Sequence, residues 1–363
     1  MKILYITNGI TGAGGLERVL SIKASYLADH YGYEVTILSL NENQRVPFYD
    51  FSPLIIFKSV TVGGNPINYI NAYKKGLQNT VNIMAPDIIS VCDDGLKGFF
   101  IPQFLKTKAK IIYERHVSKL IEANADQGIL KTATIKIKWL MMERLAQKFS
   151  RFVVLTEANK QEWQSLKNIE VICNPLSFYP EKTSTCTTKT VICVGKISYQ
   201  KGQDLLVSAW DQVWKKHPDW KLELYGYANE DFLTTDALTQ KNIHHFLPEK
   251  NIMEKYLHSS IYVMSSRYEG FGMVLIEAMA CGVPCISFNC NYGPADIISA
   301  EIDGIVVDKE NTTILAREIV RLIENESLRK EMGENAKRNV ERFLPVKIVQ
   351  QWDDLFKSLV NNK

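Results

Sequence analysis

Short apolar runs alternate with segments of helical period along the whole chain. In the first half, positions 3–7, 35–40, 54–60, 88–92, 111–114, 152–156 and 171–173 are short runs dominated by apolar or β-branched residues. Strands buried on both faces read this way. Between them, 16–31, 67–84, 119–149 (with a break) and 157–166 carry helical spacing. The second half repeats the scheme, with strands at 191–195, 222–225, 243–246, 261–265, 285–288 and 305–307. Helices are expected there near 203–217, 250–258, 273–281, 312–324 and 327–343, and a last one at 347–360 after Pro345. Strands alternating with helices predict parallel, doubly wound sheets, so the chain is α/β with two Rossmann-like domains facing an interdomain cleft.

The length of 363 residues supports two domains rather than one core. The join is expected near Asn174-Pro175, giving domains 1–175 and 176–345, with the helix of 346–363 returning to the first. No apolar run reaches the roughly 18–20 residues that a membrane span needs. The start, MKILYITNG, reads as a first strand running into a glycine loop and not as a signal peptide. Seven cysteines without a CxxC pair fit small buried residues in a reducing compartment, so a cytoplasmic setting is expected. The six histidines show no metal-ligand spacing, and no protein-built metal site or other cofactor is expected.

Charge changes the picture only locally. Net charge is +3, but residues 1–180 hold 21 Lys/Arg against 15 Asp/Glu, and 101–151 hold 11 against 4. That is a basic surface and not the overall charge of a nucleic-acid-binding protein. Lys131, Lys136, Lys138, Arg144 and Lys148 interleave with Ile135, Ile137, Trp139, Leu140 and Met141. Such a segment is either a partly buried helix or a surface for anionic lipid head groups, at the inner face of a membrane, or for a lipid-linked pyrophosphate.

Chemistry concentrates at strand ends, where open α/β sheets bind ligands. The run SSRYEGFGMVLIEAMACGVP places Glu269-Gly270-Phe271-Gly272 before a helix starting near Met273, with Glu277 inside that helix. Glu269 by residue type alone is as readily a solvated acid. Glu277 stands among Val274, Leu275, Ile276, Ala278, Met279 and Ala280, where an unpaired carboxylate costs several kcal/mol. It therefore needs a partner, and a pair of ligand hydroxyls would serve. Gly195-Lys196 and Lys201-Gly202 bracket a loop whose two lysines can neutralise a diphosphate. Near the N-terminus, Gly9, Gly12, Gly14 and Gly15 precede Arg18 and a helix, and permit close backbone approach to a phosphate or sugar. The spacing matches neither a dinucleotide fingerprint nor a phosphate-binding P-loop. His116 closes one strand beside Glu114-Arg115, and Asp93-Asp94 closes another, where two acids can meet acceptor hydroxyls.

Together, the E-G-F-G-x-x-x-x-E-A-x-x-x-G-x-P run, the Gly195-Lys196…Lys201-Gly202 loop and the N-terminal glycine loop with Arg18 resemble retaining glycosyltransferase family 4 over nearly the whole chain. The resemblance implies the GT-B fold, a nucleotide diphosphate sugar as donor (UDP by family frequency) and net retention without a bound metal. It implies Glu277 on the donor ribose, and Glu269 on the transferred sugar. Lys196 and Lys201 would hold the diphosphate, and the backbone of Gly270, Phe271, Gly272 and Met273 would meet sugar and phosphate. Leu247 would meet the base. His116, Glu269 and Lys201 become the catalytic candidates, and Gly14, Gly15, Arg18, Asp93 and Asp94 the acceptor-binding ones. Lys196 replaces the more usual arginine, which keeps the charge and loses the bidentate geometry. Glu114-Arg115-His116 also resembles members that extend lipid-linked bacterial polysaccharides, so the expected acceptor is a lipid-linked or other glycan of capsule or lipopolysaccharide type. The alternatives are a UDP-sugar 2-epimerase or phosphorylase on the same fold, and a noncatalytic sugar- or lipid-binding protein.

Overall fold

A computed structural model describes residues 1–43, 45–93, 95–119, 129–228 and 240–361. Asp94 lies outside the described residues. The chain divides into two units, Met1–Ser177 with Pro345–Lys363, and Phe178–Leu344. The boundary falls two residues beyond the join expected at 175.

Among the described residues the first unit holds seven strands: β1 Lys2–Thr7, β2 Glu34–Leu40, β3 Ile56–Val60, β4 Ile88–Cys92, β5 Lys110–Glu114, β6 Arg151–Val154 and β7 Ile169–Val171. Its helices are α1 Gly15–Tyr31, α2 Pro66–Met84, α3 Leu96–Phe99, α4 Ile101–Phe104, α5 Ile129–Ala146 and α6 Glu157–Gln161. The strands pair in parallel in the order β3-β2-β1-β4-β5-β6-β7, with Ile3 opposite Val35 on one side and Ile88 on the other. Strand order reverses between β1 and β4, which is where such sheets open a crevice at their carboxyl ends.

The second unit holds β8 Thr190–Val194, β9 Lys221–Tyr225, β10 Ile243–Phe246, β11 Ile261–Met264, β12 Cys285–Phe288 and β13 Gly304–Val307. Between and after them run α7 Gln203–Lys216, α8 Ile252–Leu257, α9 Met273–Ala280, α10 Pro294–Ile297, α11 Thr312–Glu324 and α12 Glu326–Asn339. The order is β10-β9-β8-β11-β12-β13, all parallel, and the reversal lies between β8 and β11. Both sheets are therefore Rossmann-like, and the α/β reading holds.

Burial explains why the strands were legible. Val191, Leu222, Leu224, Ile261, Val263 and Ile286 are buried against Leu206, Trp210 and Ile319 of the flanking helices. In the first unit Leu4, Ile89, Val91 and Phe152 share a core with Leu77, Phe99 and Trp163. Element ends differ where polar chemistry intervenes. The strand expected at 152–156 stops at Val154 because the Thr156 hydroxyl accepts from the Asn159 N–H and starts α6. The strand expected from 54 starts at Ile56, with Leu54 exposed. Of the helix expected over 119–149, positions 120–128 lie outside the described residues and the rest is α5, ending at Ala146.

The last helix, α13 Pro345–Asn361, returns to the first unit as expected. Its apolar stripe, including Ile348, Val349, Trp352 and Phe356, packs on α1. Tyr31 donates to Gln350 at 2.8 Å, and the Tyr33 hydroxyl bonds to buried Asp353. Among the described residues no helix is long and apolar enough to cross a membrane.

Candidate active site

In the second unit the loops after β8 and β11 flank the reversal of strand order. They bring Lys201 onto Glu269, 68 residues away in sequence. The Lys201 ammonium lies 2.8 Å and 3.0 Å from the two Glu269 oxygens, and Ser266 Oγ donates to Oε1 at 2.5 Å. Glu269 is 5% exposed, so it is no solvated surface acid. The glycines around this pair have geometric jobs. Gly202 has φ +63°, and a Cβ there would lie 2.0 Å from the Ser265 carbonyl oxygen. The loop can thus press against β11 only with glycine at this position. The Ser265 hydroxyl in turn donates to the Lys201 carbonyl at 3.0 Å.

Arg267 clamps the two loops together. Its guanidinium makes a bidentate pair with Asp204 at 2.9 and 2.6 Å and donates to the Tyr199 carbonyl at 2.7 Å. It also lies 4.0 Å from the centroid of the Tyr199 ring. Gln203 donates to the Lys196 carbonyl at 3.2 Å from the end of the same loop. Lys196 itself is exposed.

Glu269 leads through Gly270 into Phe271, whose ring is buried edge-on against Phe343 at 5.6 Å. Only its backbone is therefore available to a ligand. Gly272 has φ +102° and turns the chain into α9 at Met273. Glu277 follows within α9 at 1% exposure. Sequence reasoning required a partner for it, and Tyr256 of α8 supplies one, with its hydroxyl 3.5 Å from Oε2. Leu247 is 68% exposed just past β10, where Phe246 stacks on Tyr225 at 4.9 Å.

The first unit gathers its own polar groups at the carboxyl ends of β1, β2, β4 and β5. Glu42 accepts from the N–H groups of Ile10 and Thr11 at 2.8 and 3.2 Å and from the Thr11 hydroxyl at 2.6 Å. The Glu17 carboxylate lies over Gly12 and Gly14, where any Cβ would collide with it. Burial raises the Glu17 carboxyl above its ordinary value, and Glu42 adds to this against the opposing effect of its own backbone N–H. The glycine loop is therefore lined by acids. Two carboxylates offer acceptors suited to sugar hydroxyls. Gly14 caps α1, Gly15 begins it, and Arg18 lies 4.7 Å from the Tyr49 ring centroid, with the Tyr49 hydroxyl donating to the Ala13 carbonyl.

Asp93 is brought in differently from expectation. It is 1% exposed and accepts from Asn8 at 2.9 Å and the Gly95 N–H at 2.8 Å, with Lys97 at 3.0 Å. The carboxylate holds the β4 loop against the β1 loop rather than standing open in a turn. His116 lies 3.3 Å through Nε2 from Glu114, which is fully buried and ion-paired to Lys23. Cys92 joins them, so Cys92, Glu114 and His116 form a trio with ligand-type atoms within 4.8 Å of one another. The sequence showed no such grouping because Cys92 is distant along the chain. The Lys23 ammonium already neutralises Glu114 there, which disfavours a metal cation.

Sequence reasoning missed Glu17, Glu42, Ser266 and Arg267. Ser266 and Arg267 stand three and two positions before Glu269 and were visible as neighbours, whereas Glu42 offered no local signal.

The comparisons with known proteins agree with this arrangement. Residues 179–339 match the family model described as glycosyl transferases group 1. The amylovoran biosynthesis glycosyltransferase AmsD of Erwinia amylovora is 30% identical over 98% of this chain and 99% of its own length. A poly(ribitol-phosphate) alpha-N-acetylglucosaminyltransferase of Staphylococcus aureus is 27% identical over 75% of this chain and 56% of its own. Among solved structures, S. aureus TarM, crystallised as a point mutant with fondaparinux, alpha-GlcNAc-glycerol and UDP, superimposes with a TM-score of 0.80. The match covers 98% of this chain and 99% of that one at 16% identity, a likeness of fold. Two Rossmann-like sheets of GT-B type, the acid and lysine loops, and a relative matched along nearly its full length all lead to one assignment: this chain belongs to the group 1 glycosyltransferases.

Proposed function

We propose that the chain is a retaining glycosyltransferase that moves a hexosyl or N-acetylhexosaminyl group from a UDP-sugar to a lipid-linked or other glycan acceptor in surface-polysaccharide assembly. The Lys201–Glu269 pair, with Ser266, at the carboxyl end of the second sheet's switch point carries the reading. Bond breaking at the donor builds negative charge on the leaving diphosphate while the sugar becomes cationic. The Lys201 ammonium stabilises the first and the Glu269 carboxylate meets the second or its hydroxyls, both held in place before reaction. A diphosphate competes with Glu269 for Lys201, so donor binding loosens the resting ion pair. Lys196, exposed five residues earlier, adds charge to the same loop. Glu277 takes the ribose hydroxyls, Leu247 the base through its backbone, and the Gly270–Met273 backbone the sugar and phosphate. No step calls for a metal or other cofactor. In the first unit the glycine loop with Arg18, Glu17 and Glu42 takes the acceptor, and His116 addresses a carbohydrate hydroxyl.

The names of the S. aureus relative and of the TarM complex support UDP, an N-acetylglucosaminyl group and an alpha product. Thermal-shift screening against UDP-, GDP- and ADP-sugars tests the donor side. UDP-sugars are expected to raise the melting temperature most, and a shift confined to another nucleotide class would overturn the UDP assignment. Conversion of a UDP-sugar without any acceptor would favour an epimerase instead.

A membrane-facing role rests on α5, which exposes Ile137 and Leu140 together with Lys136 and Arg144, and on exposed Lys148 just past its end. Binding to vesicles rich in anionic phospholipid is expected at low salt, with release as the ionic strength rises. No binding at low salt would remove the membrane from the proposal.

A further inference from the structure

The geometry points to the buried Lys23–Glu114 pair as the device that fixes the proton and orientation of His116, keeping hydrogen on Nε2 and the ring's lone pair on Nδ1. Lys23 belongs to the buried stripe of α1 with Leu20, Ala24 and Leu27 and is itself 0% exposed. An ammonium in that position needs a counter-charge, and Glu114 at the end of β5 provides it. The Lys23 ammonium is also enclosed by aromatic faces, 4.0 Å from the Trp352 centroid and 5.0 Å from that of Tyr5. Trp352 lies on α13, so the returning helix forms one wall of this polar pocket.

Among the described residues, Glu114 has a ring of close polar neighbours. Lys23 and His116 meet Oε2, and the Ser90 hydroxyl meets Oε1. Burial pushes its carboxyl upward, but the Lys23 charge and the hydrogen bond from His116 outweigh this and bring it down to about 2. The group is thus an anion across the neutral range. A carboxylate can only accept, so the His116 nitrogen facing it must carry the proton. Whatever a neutral His116 ring accepts, it accepts at Nδ1. A purely structural purpose explains the arrangement poorly, because a buried ion pair is often no more stabilising than apolar residues of equal volume. The third member of this group is the histidine at the sheet's carboxyl end, and Lys23 and Glu114 are accordingly positioning residues.

That the Nδ1 acceptor serves a carbohydrate hydroxyl rests on the glycosyltransferase reading above, and the test separates the two. The full chain is labelled with 15N-histidine and His116 is assigned by its loss in His116→Ala. The two-bond nitrogen–proton correlations are then recorded for the wild type, for Glu114→Gln, and for the charge-neutral Lys23→Met/Glu114→Gln. The double variant guards against misfolding from one unpaired buried charge. An Nε2–H ring in the wild type that changes tautomer or becomes mixed in both variants supports the proposal. An Nδ1–H ring in the wild type, or the wild-type pattern in either variant, overturns it. With a donor identified by the screen, kcat is expected to fall about ten- to a hundred-fold while donor KM changes less than about three-fold, the scale of losing a carboxylate that orients a functional histidine. A wild type with no transfer activity sinks the functional reading, and the nitrogen spectra still decide the relay.

Discussion

Lys201→Met lowers kcat by roughly 10²–10³, the cost of removing one preorganised group that stabilises charge developing in a transition state. It also strips Glu269 of its counter-ion at a 5% exposed position, where the Ser266 hydroxyl still donates to it at 2.5 Å. A single variant therefore mixes lost chemistry with lost stability. The double variant Lys201→Met/Glu269→Gln separates them, because it removes both charges. Its melting temperature is expected to recover toward the wild type while its kcat stays low. Recovery of activity together with stability would mean that the pair is only structural.

The second large effect is at Glu277. Glu277→Ala costs on the order of 2–4 kcal/mol in kcat/KM for the donor, because ribose hydroxyls sequestered from water lose a charged acceptor. The Tyr256 hydroxyl stands 3.5 Å from this carboxylate, a long contact. Tyr256→Phe is therefore the control and is expected to change donor use by less than about three-fold, since a hydrogen bond at that length is weak. Calorimetric titration with UDP reads the binding part directly. Unaltered UDP affinity in Glu277→Ala would show that the carboxylate does not reach the ribose.

Much of this was readable from residues alone. Central strands such as β4, β11 and β12 are buried along their whole length, so they appear as mainly apolar runs, and alternation with helices implied the parallel topology. Glu277 was conspicuous because an acid in VLIEAMA violates the pattern around it. Glu269 and Lys201 were readable only as two residues at strand ends, and their pairing depends on β8 and β11 being neighbours. Lys23 was not readable at all. A lysine in a helix is ordinarily a solvated residue, and its partner Glu114 lies 91 positions away. Only strand order and the return of α13 enclose it. Glu42 was hidden for a similar reason, since its hydrogen bonds to Ile10 and Thr11 arise from β1 and β2 lying side by side. Asp93 was readable only as an acid at a strand end, because its hydrogen bonds from Asn8 and Gly95 depend on β1 and β4 lying side by side. Local patterns thus reported burial well, while long-range polar pairs followed from topology.

The most direct test of the central claim is transfer itself. The wild-type protein is incubated with a UDP-sugar labelled in the sugar, together with lipid-extracted glycan acceptors, and the product's anomeric configuration is read by proton NMR. The account predicts labelled product with the donor's anomeric configuration, and little of it with Lys201→Met. Conversion of the donor without acceptor, or a product of inverted configuration, would contradict it.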